Sequence, residues 1–163
     1  MSENHEDLTF SSLGPADSEV VIDREFAVAK ELVFRAFTDP DMLAAWFGPA
    51  GWPVPRESVE IDLREGGAYR LTMVAEDGSG ESPVDAVIEV LDEPHRIHST
   101  EAPQPMTGLT ERTHLKLDFE DGPSGGTVLR LRQGLFPAAV IAPATDGWHS
   151  SFTKLDALLA QTW

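Results

Sequence analysis

The sequence predicts an α+β fold, in which a strongly curved antiparallel sheet of about six to seven strands wraps around a long C-terminal helix. Short runs of alternating apolar and polar residues fill the middle of the chain, separated by glycine-rich turns. Such short connections join antiparallel strands. Two short helical segments follow the first strand-like run, and an apolar stripe at helical spacing closes the chain. This stripe needs the same shelter from water as one face of the sheet.

The N-terminal residues 1–18 are expected to form a mobile acidic tail. They contain four acids, no lysine or arginine and few apolar side chains, so they can bury little area. Residues 19–163 are expected to form one domain, because 163 residues leave no room for a second core. The first strand should begin at Glu19, where Val20 and Ile22 start a strand-like alternation.

Two short helices are predicted after this strand. The spacing of Val33 and Phe37 indicates the first helix, over Lys30–Phe37. Asp39 can cap the second helix, and Pro40 suits its first position because proline has no amide hydrogen to lose there.

Six further strands and the terminal helix complete the prediction. The strands are expected at Val54–Leu63, Ala68–Val74, Val84–Leu91, Arg96–Thr100, Thr110–Phe119 and Thr127–Gln133. The terminal helix carries its apolar side chains at Trp148, Phe152, Leu155 and Leu159. Their spacing forms one stripe over about three helical turns.

Composition and charge exclude several classes of function. The formal charge of −16 would repel phosphate, so neither nucleic acid nor a membrane surface is an expected partner. The absence of cysteine excludes thiolate metal sites and cysteine nucleophiles, and a cytoplasmic location is expected. His95 and His98 would point to opposite faces of a strand, and no nucleotide-binding glycine loop is present. No metal and no cofactor are therefore expected.

Five segments carry a family resemblance, namely Val33–Pro40, Trp46–Pro49, Asp62–Arg70, Gly126–Thr127 and Gly147–Trp148. In this order and spacing they resemble the SRPBCC, or START-like, superfamily. Specifically, they resemble the branch named after the activator of the ninety-kilodalton heat-shock-protein ATPase, of the single-domain bacterial type.

The resemblance implies the helix-grip fold, also called START-like or Bet v 1-like, with a deep cavity between the C-terminal helix and the sheet. Across the superfamily this cavity holds lipids, polyketides, hormones and other apolar molecules, and the fold implies no single reaction. The sequence lacks the separate N-terminal domain of the eukaryotic activator, so activation of a chaperone is not the first expectation.

Strand phase selects the side chains that should face such a cavity. In the sixth of the seven strands the odd-numbered positions are apolar toward the end, so Glu111 and Thr113 are expected to point inward. The same argument turns Gln133 inward and aligns Tyr69 with Met73. A bulge near a strand end could instead reverse the phase, or water could satisfy these polar groups.

The candidate ligand-binding residues combine this polar set with the large apolar side chains around the helices. They are Trp46, Phe47, Trp52, Tyr69, Met73, Glu111, Thr113, Gln133, Trp148 and Phe152. The aromatic members are equally well explained as ordinary core residues.

Three functions remain open. The favoured hypothesis is a monomeric or homodimeric protein that shelters a small apolar or aromatic ligand. The second is an enzyme of the cyclase, dehydratase or hydrolase kind, in which a cavity carboxylate such as Glu111 acts as acid or base. The third is a stress-response protein that contacts a chaperone, which predicts a solid interior and a large exposed apolar patch.

Overall fold

The computed structural model describes residues 14–103 and 111–161. This part of the chain forms seven strands and three α-helices. In chain order they are β1 (Ala16–Phe26), α1 (Lys30–Thr38), α2 (Pro40–Trp46), β2 (Glu60–Ile61), β3 (Ala68–Val74), β4 (Glu81–Asp92), β5 (Arg96–Glu101), β6 (Thr113–Asp121), β7 (Thr127–Pro137) and α3 (Ala138–Leu159).

The seven strands form one curved antiparallel sheet in the order β1-β7-β6-β5-β4-β3-β2. Strands β2 to β7 lie in chain order, as a series of antiparallel neighbours. The first strand joins the last, with Val20 opposite Gln133 and Phe26 opposite Thr127. Helix α3 packs against β1 and β7. The arrangement confirms the predicted helix-grip fold.

Helix α3 is much longer than the apolar stripe indicated. It begins at Ala138, directly after β7 ends at Pro137, and it continues through Pro143. Proline inside a helix removes one backbone hydrogen bond and usually ends or bends the helix. The apolar stripe in the sequence therefore indicates only the part of α3 that begins near Trp148.

Several other boundaries differ from the prediction; β4, for example, begins at Glu81 rather than Val84, and β7 continues to Pro137 rather than ending at Gln133. Strand β1 begins at Ala16 rather than Glu19, while residues 1–13 of the expected tail lie outside the described residues. The expected strand Val54–Leu63 is mostly irregular, and only β2 pairs with β3. The hydroxyl of Ser58 donates to the Pro55 carbonyl oxygen at 2.7 Å, within a short 3₁₀ helix. The Ser58 hydroxyl thus bonds a backbone carbonyl that would otherwise be available to a neighbouring strand.

The helices α1 and α2 are joined as predicted. The Asp39 carboxylate accepts hydrogen bonds from the backbone nitrogens of Asp41 (2.9 Å) and Met42 (3.2 Å), which caps α2. The Trp46 indole nitrogen at the end of α2 donates to the Ala36 carbonyl oxygen in α1 at 2.8 Å. These bonds fix the angle between the two helices and place the segment after α2 beside α3.

An aromatic cluster fills the core between these helices and the sheet. Phe37 packs edge-on against Trp46, with ring centroids 4.8 Å apart, and against Phe119 of β6 at 5.6 Å. The cluster continues through Phe152 to Trp148 on α3. Within residues 14–103 and 111–161, no helix has the length and hydrophobicity that crossing a membrane requires.

Candidate functional site

A cavity of about 310 Å³ lies between α3 and the sheet. Strands β3 to β7 form its floor, α3 forms one wall, and the segment Phe47–Pro49 after α2 forms the other. Most of the lining is apolar: Phe37, Phe47, Pro49, Met73, Val84, Ala86, Ile97, Leu115, Leu117, Phe136, Val140, Ala144 and Trp148.

Helix α3 supplies a cavity wall of which only Trp148 was a candidate. Val140, Ala144, Gly147 and Ser151 also face the cavity. These five residues are spaced by four, three, one and three positions, which places them on one face of the helix. This continuation of the apolar stripe toward the N-terminus is the signal that could have revealed them.

Six of the ten candidate residues line the cavity. They are Phe47, Tyr69, Met73, Thr113, Gln133 and Trp148. The polar residues Thr113 and Gln133 therefore have the orientation that strand alternation predicts, and Tyr69 and Met73 lie on the same face of β3.

Two aromatic candidates belong to the core behind the cavity wall. Trp46 and Phe152 are both fully buried, and their rings stack with centroids 6.1 Å apart. Phe152 also packs edge-on against Phe26 at 5.6 Å. Neither ring borders the cavity, so the interpretation of these two residues as core is the correct one.

The predicted inward orientation of Glu111 is wrong, and Trp52 does not line the cavity either. Glu111 is exposed in a bend, two residues before β6 begins at Thr113. Alternation of side chains between two faces holds only inside a paired strand, and the last pair of β5 and β6 joins Glu101 to Thr113. Trp52 is half-buried in a turn, where its backbone nitrogen donates to the Pro49 carbonyl oxygen at 2.9 Å.

A hydrogen bond between side chains links the helical wall to the floor. The Trp148 indole nitrogen donates to Gln133 Oε1 at 2.8 Å. Because an indole nitrogen can only donate, the amide oxygen must face it, and the amide nitrogen of Gln133 points elsewhere. The Trp148 ring also packs edge-on against Phe47, with centroids 5.6 Å apart. Trp148 therefore has a fixed orientation at the cavity.

Tyr69 is held at the apolar end of the cavity. Its hydroxyl donates to the Phe37 carbonyl oxygen in α1. Burial raises the pKa of the Tyr69 phenol well above its ordinary value, because the anionic form would lose its hydration. The side chain is consequently a neutral donor already engaged with the backbone, which does not suit it to proton transfer.

On the sheet, three further polar residues that were not among the candidates line the cavity: Ser82 on β4 and Ser99 and Glu101 on β5. Glu101 is half-buried at the end of β5, opposite Thr113 on one side and Ala86 on the other. The alternation of Ile97, Ser99 and Glu101 would have revealed its orientation, but the predicted strand ended one residue too early.

The cavity therefore has an apolar end and a polar end. Ser99 and Thr113 are 8% and 7% exposed, and neither hydroxyl makes a hydrogen bond within the described part of the chain. The described lining contains one carboxylate, Glu101, and no lysine, arginine or histidine. No cluster of three or more potential metal ligands occurs among residues 14–103 and 111–161.

A curved sheet that grips a C-terminal helix around an apolar cavity defines a START-like, helix-grip domain. The family described as Activator of Hsp90 ATPase homolog 1-like protein matches residues 27–160, and the chain belongs to this family. The predicted family branch is thereby confirmed.

Solved bacterial structures show the same fold. A protein from Chromobacterium violaceum is 27% identical with a TM-score of 0.78, and the match covers 89% of this chain and 99% of that chain. A protein from Rhodobacter sphaeroides is 25% identical with a TM-score of 0.73, covering 90% and 95%. The AHSA1 protein from Silicibacter pomeroyi is 26% identical with a TM-score of 0.72, covering 88% and 98%. No curated protein matches this chain.

Proposed function

We propose that this protein binds a small apolar or aromatic molecule in the cavity between α3 and the sheet. The cavity itself supports the proposal most strongly. Its volume of about 310 Å³ falls in the lower part of the roughly 300–1,000 Å³ range of ligand pockets, and its lining is mainly apolar with a few polar groups. A small apolar molecule in a space of this size would make packing contacts with most of the lining.

Aromatic side chains are the natural contacts for an aromatic ligand here. Phe47 and Trp148 meet at the cavity wall with their rings at 85°, so together they present both a face and an edge. A bound ring could pack against either of them in the offset or edge-on geometry that aromatic pairs prefer. Since Gln133 holds the indole of Trp148, little side-chain freedom would be lost on binding.

In this proposal residues 19–163 form the binding domain, and the protein acts in the cytoplasm as a monomer or homodimer. A hollow interior favours ligand binding over the chaperone-contact hypothesis, which expected a solid one. The enzyme hypothesis has less support, because Glu101 is the one acidic group of the described lining and no basic side chain accompanies it.

The test combines detection of a natural ligand with a blocked cavity. Native mass spectrometry of freshly purified protein should detect a bound small molecule, and calorimetric titration should detect binding of 2-naphthalenemethanol, a neutral aromatic probe. The variant Ala144→Phe fills the cavity from α3 and should abolish both signals. Ala157→Phe adds the same ring at an exposed position of α3 and should preserve both.

Two results would contradict the proposal. One is that neither a natural ligand nor the neutral probe binds the parent protein. The other is that Ala144→Phe binds the probe as tightly as Ala157→Phe, which would place the binding site outside the cavity.

A further inference from the structure

We propose that the ligand of this cavity is an amine that carries a positive charge, and that Glu101 holds its ammonium group. The inference rests on the proposed function and adds the chemical class of the ligand. It follows from three features of the lining: where the carboxylate lies, which charges surround it, and which hydrogen-bonding groups flank it.

The carboxylate lies at one end of a polarity gradient along two neighbouring strands. On β5 the cavity-facing residues run from Ile97 through Ser99 to Glu101, and on β6 the opposite positions run from Leu117 through Leu115 to Thr113. A ligand that matches this gradient has an apolar body at one end and a polar group at the other. The polar group would meet Glu101.

The charge of the lining selects the sign of that polar group. Among the described residues, no cationic side chain lines the cavity, so the lining offers a ligand anion no positive group and places it near the Glu101 carboxylate. A purely apolar ligand beside the carboxylate would exclude solvent from it and offer it no hydrogen bond, which is unfavourable. An ammonium group supplies the opposite charge and strong charge-assisted hydrogen bonds. The net charge of −16 also attracts cations from solution.

The flanking groups suit an ammonium as well. A carboxylate has about four acceptor sites, so Glu101 can accept from a ligand in addition to its contact within the chain. The hydroxyls of Ser99 and Thr113 can accept the remaining ammonium protons. Gln133 contributes the opposite polarity: its oxygen is occupied by Trp148, so its amide nitrogen can donate to an acceptor on the ligand.

Three probes of one shape test the sign of the charge. 2-Naphthylmethylamine, 2-naphthalenemethanol and 2-naphthoic acid share an aromatic body and carry an ammonium, a hydroxyl and a carboxylate at neutral pH. We expect the amine to bind the parent protein at least tenfold more tightly than the acid, with the alcohol in between. An amine-to-acid preference below threefold overturns the inference. Binding of the alcohol would show that the proposed function survives that failure, whereas a parent protein that binds no probe and carries no natural ligand would contradict both.

A matched pair of variants assigns the preference to Glu101. Glu101→Gln should lower the affinity for the amine about tenfold and leave the affinity for the alcohol within twofold. Glu25→Gln removes the same charge from an exposed position of β1 and should leave all three affinities unchanged. Equal losses in both variants would trace the preference to net charge and overturn the role of Glu101. The unchanged affinity for the alcohol also shows that Glu101→Gln still folds.

Discussion

Truncating the two aromatic residues of α3 should have unequal effects, although their side chains touch. Phe152 is fully buried and packs against Phe26, Trp46 and Trp148, with ring centroids between 5.6 and 6.1 Å apart. Phe152→Ala leaves a closed void and loses three aromatic contacts, so we expect a loss near the upper end of the 3–5 kcal/mol range, about 4–5 kcal/mol.

Trp148→Ala should cost less, about 2–3 kcal/mol, although tryptophan is the larger residue. One side of the Trp148 indole already borders the cavity, so its removal enlarges an existing space that water can reach. Water can also replace the donor that Gln133 Oε1 loses.

Urea denaturation followed by far-UV circular dichroism measures both free energies of unfolding. With a slope of about 2 kcal/mol per molar urea, a difference of about 2 kcal/mol between the variants separates their midpoints by about 1 M. Phe152→Leu is the control, and it should lose less than either truncation. If Trp148→Ala lowers the midpoint as much as Phe152→Ala, the indole is packed on all sides, and its assignment to the cavity wall is refuted.

Three further changes test the site and its supports. Gly48→Ala should destabilise the protein by about 2 kcal/mol or more, because φ is +95° there and a Cβ would lie 2.1 Å from a carbonyl oxygen. Gly78→Ala is the control, since φ is +79° but the space around a Cβ is open. Thermal melts should therefore show a smaller loss for Gly78→Ala, which has the backbone strain without the clash. Thr113→Val removes a hydroxyl that has no partner among the described residues. Chemical denaturation should show that the free energy of unfolding is unchanged or raised by up to about 1 kcal/mol. A loss of stability would mean that the hydroxyl makes a favourable hydrogen bond. Burial lowers the pKa of Lys154 below its ordinary 10.5, so the unfolded state binds more protons at this residue just below that pH, and the contribution of Lys154 to stability rises with pH there. The stability of Lys154→Met minus that of the parent isolates this contribution: it should be less than about 0.5 kcal/mol at pH 7, since a partly exposed ammonium keeps much of its hydration, and should shrink as the pH approaches 10.5.

Most of the fold could be predicted because turns, alternation of apolar and polar residues, and helix caps can each be recognised in a short stretch of sequence. Turns and alternation marked the middle strands, and the Asp39 cap with Pro40 marked the start of α2. The prediction failed where a local signal opposed the tertiary structure. Pro143 hid the early turns of α3, which tertiary packing nevertheless keeps helical.

The orientation of the candidate side chains was predicted correctly within the paired parts of the strands and wrongly beyond them. Inside the paired strands, alternation gave the orientation of Thr113 and Gln133. It failed for Glu111, because pairing begins only at Thr113, and pairing cannot be seen in the sequence of one strand. The same uncertainty at a strand end left Glu101 outside the predicted β5. The one carboxylate of the described lining therefore lies at a strand end, where side-chain orientation is hardest to predict.

The junction between β7 and α3 has a consequence for how this domain tolerates changes of length. Pro137 ends the strand and Ala138 begins the helix, so no loop residue separates the floor of the cavity from its wall. One inserted residue at this peptide bond would turn the helix by about 100° and advance it by about 1.5 Å, which would carry Trp148 away from Gln133. Insertions at the exposed Asp77–Gly80 turn would leave that pairing intact. Redesign of the ligand specificity should therefore exchange side chains of the lining and keep the number of residues between β6 and the end of α3.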